Sequence, residues 1–155
     1  MVNRPKQIGT AAETAVKNVL CEYFPDVDRR VLHGSEDHGD MINTGIFCFE
    51  VKGGEAAKNM RGSREVQEGK LTTWLAQTEI ERKHSEATYG VLVTQRGGYS
   101  AANAGKWWCW VTAETYAKIV GGYYIGRHPV RMELNDFLVT IADQGLTPDV
   151  FENAI

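Results

Sequence analysis

A chain of 155 residues, 43% hydrophobic and 24% charged, is long enough for one domain with a real core and ordinary enough in composition to be globular. No run approaches a membrane span and the opening MVNRPKQIGTAAE has no apolar signal core, so the expectation is a cytoplasmic chain with no membrane partner. The net charge of −3 neither requires nor excludes a nucleic-acid partner, because a local patch decides that.

The first predicted helix starts at Thr10, where TAAE has the form of a capping box: Thr10 is the N-cap and Glu13 reaches back from the third turn position. Ala12, Val16, Val19, Leu20 and Tyr23 follow at helical spacing, and Pro25 lies just past the end. RRVLHG reads as a short strand, and DMI and IFCFEVK flank NTG as a hairpin. GSREVQEGKLTTWLAQTEIERKHSEA is a long helix with Leu71, Trp74, Leu75 and Thr78 as its buried stripe. YGVLVTQ is a buried strand and WWCWVT another, followed by a helix over AETYAKIV that a glycine pair ends. A last helix near NDFLVTIADQ stops at Gly145. This order predicts one α/β domain over residues 1–155, a central mixed sheet of about five strands flanked by helices, with extra C-terminal helices over 114–155. Cys21, Cys48 and Cys109 form no CxxC pair, which suits a reducing compartment and argues against thiolate-bound zinc.

The strand IFCFEVK ends on an acid and a base. Side chains alternate along a strand, so Glu50 and Lys52 share a face with Cys48, while Phe47, Phe49 and Val51 take the other. If the hairpin loop is Asn43 to Gly45, Asp40 lies opposite Cys48 and Glu50 is one diagonal step away on the same face. Such neighbours are about 7–8 Å apart at the backbone, within reach of one shared cation. The same count puts Asp37 on the opposite side, and a one-residue change in loop length would flip Asp40. Two carboxylates beside a lysine suit phosphodiester hydrolysis. Hard oxygen ligands select magnesium, with manganese as a substitute, and the lysine can orient the nucleophile or stabilise the transition state. The bland reading of Glu50 and Lys52 is a surface ion pair.

Asp40-x9-Glu50-x-Lys52 resembles the signature of the PD-(D/E)xK nucleases. IGTAAETAVKNVL upstream, with TWLAQTEIE, GVLVTQR and WWCWVTA downstream, resembles the Holliday junction resolvases of archaeal and phage type within that superfamily, over residues 8–113. The resemblance implies a restriction-endonuclease-like core and a homodimer acting on four-way DNA junctions. It makes Asp40 and Glu50 metal ligands, Lys52 catalytic, Glu13 a direct or second-sphere ligand, and the carbonyl of Val51 a further ligand. Relatives of this type are commonly basic, and this chain is not. A different nuclease of the same fold, of repair or restriction type, and a non-catalytic DNA-binding module are the alternatives.

HGSEDHGD gathers His33, Asp37, His38 and Asp40, but no histidine pair has the spacing of zinc hydrolases, and such loops are more often turns. Ser35 there either contacts phosphate, as the resemblance implies, or stabilises the turn. Lys58, Arg61, Arg64 and Lys70 follow the glycine pair as a candidate phosphate clamp, against the reading of a solvated face balanced by Glu55, Glu65 and Glu68. Arg29 and Arg30 form a weaker second patch. Trp107, Trp108 and Trp110 cannot all face one way on a strand; some are core, and the rest line an interface or stack on a base.

Overall fold

The computed structural model describes residues 4–31, 38–58 and 64–148. Helix α1 (Arg4–Leu20) leads into a two-residue strand β1 (Asp28–Arg29), which pairs antiparallel with β2 (Met41–Ile42). Then come β3 (Phe47–Lys52), the single turn α2 (Glu55–Lys58), the long α3 (Arg64–Ser85) and β4 (Tyr89–Thr94). A 3₁₀ segment (Ala101–Lys106), β5 (Trp108–Thr112), α4 (Ala113–Ile119), β6 (Pro129–Glu133) and α5 (Leu134–Asp143) follow. The chain is thus α/β, with a mixed four-stranded sheet in the order β3-β4-β5-β6. β3 and β4 are parallel, as α3 between them requires, and the remaining pairs are antiparallel.

One face of the sheet is the apolar core. Phe47, Phe49, Val91, Val93, Cys109 and Val111 point into it and are buried. Helices α1 and α5 cover that face. Phe24, just past α1, meets Phe47 and Phe49 edge-on at 6.3 and 6.2 Å between ring centres. Phe137 of α5 meets the same two rings at 5.9 and 6.4 Å. The opposite face carries Cys48, Glu50 and Lys52, and α3 packs on it over β3 and β4: a β-carbon at Gly90, the register partner of Cys48, would touch Thr78 and Glu79 of α3.

Three sequence expectations change here. Helix α1 starts at Arg4, so Thr10 is interior rather than an N-cap, and its carbonyl accepts from the Thr14 hydroxyl at 2.9 Å. Pro5 is tolerated because it falls in the first turn, where its missing N–H has no helical acceptor. The expected hairpin of DMI with IFCFEVK does not form either: Met41–Ile42 pairs with Asp28–Arg29 in its own ribbon, leaving four strands in the sheet instead of about five. The third change is β6, a strand not expected from the sequence. It starts at a proline and lies at the sheet edge, the place where proline disturbs no ladder. With α5 it makes the C-terminal region part of the sheet and core, since Leu134, Phe137, Leu138 and Ile141 are all buried.

Trp107 is 1% exposed and belongs to the core, whereas Trp108 and Trp110 are half-buried. Among the described residues, no helix is long and apolar enough to cross a membrane.

Candidate functional site

Strand β3 is one edge of the sheet, so alternate backbone groups along it face outward without a ladder partner. Asp40 takes two of them. Its N–H donates to the carbonyl of Phe49 at 2.9 Å, and its Oδ2 accepts from the N–H of Val51 at 2.7 Å. Asp40 therefore lies beside Phe49 and Val51 and not opposite Cys48 as the hairpin count requires. Its carboxyl nevertheless stands close enough to Glu50 for the two like charges to act on each other. The pairing survives the wrong register because the edge of β3, not a turn, positions Asp40. The Lys52 carbonyl faces inward to the Gln95 N–H at 2.9 Å, so the Val51 carbonyl faces the outer edge with Asp40.

Glu50 is buried, with a side chain only 5% exposed, and the Lys52 ammonium stands 3.4 Å from its Oε1. Burial first, then the Glu50 charge, and then Glu13 push the Asp40 carboxyl from 3.8 up to about 9, against the opposing pull of the Val51 N–H. With the Lys52 ammonium offsetting only the Glu50 charge, two close, poorly hydrated carboxyls resist ionising together unless further positive charge joins them. That is the fit for a hard divalent ion. Magnesium needs only one or two carboxylates and keeps several of its waters, so this donor pair with the Val51 carbonyl suffices. Among the described residues, no group of three or more His, Cys, Asp and Glu side chains is placed to hold one ion.

Glu13 sits mid-helix on α1, not in a cap. Its Oε2 accepts from Arg29 Nε at 3.0 Å and Nη2 at 2.9 Å. This ion pair is 22% exposed on the Glu13 side and 33% on the Arg29 side, so its loss costs less than about 1 kcal/mol. Because its charge also raises Asp40, Glu13 acts on the pair electrostatically. Glu13→Gln is therefore expected to lower the apparent pKa of Asp40 while barely moving the melting temperature at low pH; an unchanged pH dependence of melting would leave Glu13 with a structural role only.

The glycine pair after Lys52 is explained by packing. A β-carbon at Gly53 would come within 2.6 Å of the Ala12 β-carbon, so this glycine lets α1 approach the end of β3. Gly54 has φ +90°, which side chains rarely adopt. Together they hold the helix that carries Glu13 against the strand that carries Glu50.

The remaining predicted residues are scattered around this centre. Arg30 is half-buried, its Nη2 3.5 Å from the Met41 carbonyl, and lines a cavity of about 320 Å³ with His38, Cys48 and Ser85. His38 lies 5.9 Å from the His84 ring. Lys58 ends α2 and pairs with Glu55 at 3.7 Å, and Lys70 is exposed on α3. Arg64 opens α3 with its side chain outside the described residues, as are His33, Ser35, Asp37 and Arg61 altogether.

One buried carboxylate was not anticipated. Glu81 of α3 is 1% exposed, and together with Glu50 it adds to the burial that pushes the Cys48 thiol up to about 11. The signal was present: Glu81 follows Thr78 by three positions on the very stripe read as buried.

No family model, curated protein or solved structure matches this chain.

Proposed function

We propose that this protein is a metal-dependent, structure-selective DNA endonuclease with a restriction-endonuclease-like core, resolving four-way junctions as a homodimer in a reducing, cytoplasmic setting. One observation carries the reading: the half-buried Asp40 carboxyl beside the buried Glu50 at a sheet edge, with the Lys52 ammonium 3.4 Å from Glu50. Support for the fold comes from β3 and β4 lying parallel around α3, with α1 on the other face beside the site.

Asp40, Glu50 and the Val51 carbonyl would hold magnesium, or manganese in its place. The bound ion would neutralise charge on the scissile phosphate and acidify the attacking water. Lys52 aims its ammonium at the same place, where it stabilises charge on the phosphate oxygens or orients the water for in-line attack. The Arg29 clamp on Glu13 fixes a third carboxylate within electrostatic reach, and Lys58 and Lys70 supply cations on the elements that follow β3. A dimer follows from the chemistry, since cutting two symmetry-related strands calls for two sites related by a two-fold axis.

The test is cleavage of a synthetic four-way junction, a flap and a matched linear duplex, each with magnesium or chelator. Paired cuts in the junction alone, only with magnesium, are expected. Preference for flap or linear duplex would make this another nuclease of the same chemistry, and binding without any cutting would make it a DNA-binding module.

A further inference from the structure

The part of the site-bearing sheet face beyond α3 carries an alternating stack of rings and guanidinium groups. Trp108 and Trp110 share that face with Glu50 and Lys52: Lys52, Thr94 and Trp108 stand in one cross-strand row, and Glu50, Leu92 and Trp110 in the next. The Arg96 guanidinium lies 3.8 Å from the Trp108 ring centre and 4.4 Å from that of Tyr99. Arg131, the register partner of Trp110, lies 4.0 Å from the Trp108 centre and 5.7 Å from that of Trp110. Arg96 Nη1 already donates to Glu133 and to the Lys106 carbonyl, both at 3.1 Å, whereas Arg131 is exposed and makes no ion pair among the described residues.

Stacking fixes the plane of a guanidinium and turns its N–H edge outward, the geometry that meets a phosphate through two parallel hydrogen bonds. The stack is also joined to the candidate site through the backbone. Gln95 donates its N–H to the Lys52 carbonyl at 2.9 Å, its Oε1 accepts from the Gly54 N–H at 2.9 Å, and Arg96 is the next residue. Lys52 and Trp108 are two strand spacings apart, roughly 10 Å, or about three base steps of a nucleic-acid strand.

We propose that Arg131, held flat against Trp108 with Arg96 bracing the same ring, forms a second phosphate-binding point that grips the DNA backbone on the flank of α3 away from the cut. This inference rests on the nucleic-acid reading above and adds where the substrate is held. It also gives a chain of net charge −3 an exposed cation on this face.

The experiment is binding of a labelled four-way junction to the full chain in chelator, so that no cleavage interferes, with affinity followed against salt. Arg131→Ala should weaken binding by roughly three- to tenfold and reduce the salt slope by about one, the signature of one lost phosphate contact. Arg131→Glu should weaken it further. Trp108→Leu keeps both cations but removes the ring between them, and should weaken binding like Arg131→Ala. Wild-type affinity and salt slope in Arg131→Glu, in a protein that binds and cuts the junction, would overturn this inference and leave the nuclease reading standing. A wild type that binds no DNA would overturn both. A wild type that binds without cutting would overturn only the catalytic reading, and the same variants would still decide this one.

Discussion

Asp40→Asn should abolish cleavage and yet make the metal-free protein more stable at neutral pH. The Asp40 carboxyl is raised from 3.8 to about 9, by burial first and the Glu50 charge second. Between those two values the native state holds a proton that the unfolded chain releases, so the native state binds more protons and stability falls as pH rises. The stabilisation is full below about pH 4 and is lost progressively toward pH 9. Asparagine keeps an acceptor for the Val51 N–H, is of similar size and never ionises, so it removes this pH dependence. Each 1 kcal/mol gained raises the melting temperature of a chain this long by roughly 2–4 °C. The expected result in chelator is a wild type that melts progressively lower from pH 5 to 8 and a variant that melts higher and more evenly. Magnesium should raise the wild type and not the variant. A variant that melts at or below the wild type throughout would show that the carboxyl pair is not strained.

Lys52→Ala should lower turnover by about 10²–10³-fold, the usual cost of removing a donor aimed at transition-state charge. Junction affinity should change by less than tenfold, because one partly exposed charge contact is worth about 1 kcal/mol. The Lys52 side chain is 24% exposed and its ammonium is set against Glu50, which places it at the carboxylate pair rather than on the outer surface. Single-turnover rate and equilibrium binding separate the two effects. If affinity collapses while bound complexes cut at the normal rate, Lys52 is a phosphate anchor and not part of the chemistry.

Much of the α/β architecture could be read in advance because the long elements announce themselves. The buried stripe of α3 and the apolar run of β4 are strong periodic signals, and both lie close to where they were expected. The sharing of a face by Glu50 and Lys52 was legible too, since alternation along a strand follows from the pleat alone. What failed were inferences that depend on tertiary context. Thr10 and Glu13 have the residue types of a capping box, but nothing in six preceding residues stops the helix, so α1 runs through them. NTG has the form of a hairpin loop, with Asn43 and Gly45 both at positive φ, yet Met41–Ile42 finds its partner in β1. β6 is only five residues long and starts at Pro129, a signal too short to separate from a loop. The Asp40–Glu50 contact was expected for a reason that proved wrong. It arises from the free edge of β3, which no one-dimensional count could locate.

The most direct test of the central claim is single-turnover cleavage of a labelled four-way junction by wild type and Glu50→Gln, in magnesium and in chelator. Glu50→Gln changes one buried oxygen to an amide and removes the charge that a cation at this pair needs. The expected result is cutting by the wild type in magnesium only, and binding without cutting by Glu50→Gln in either buffer. Cutting by Glu50→Gln at the wild-type rate, or by the wild type in chelator, would contradict it.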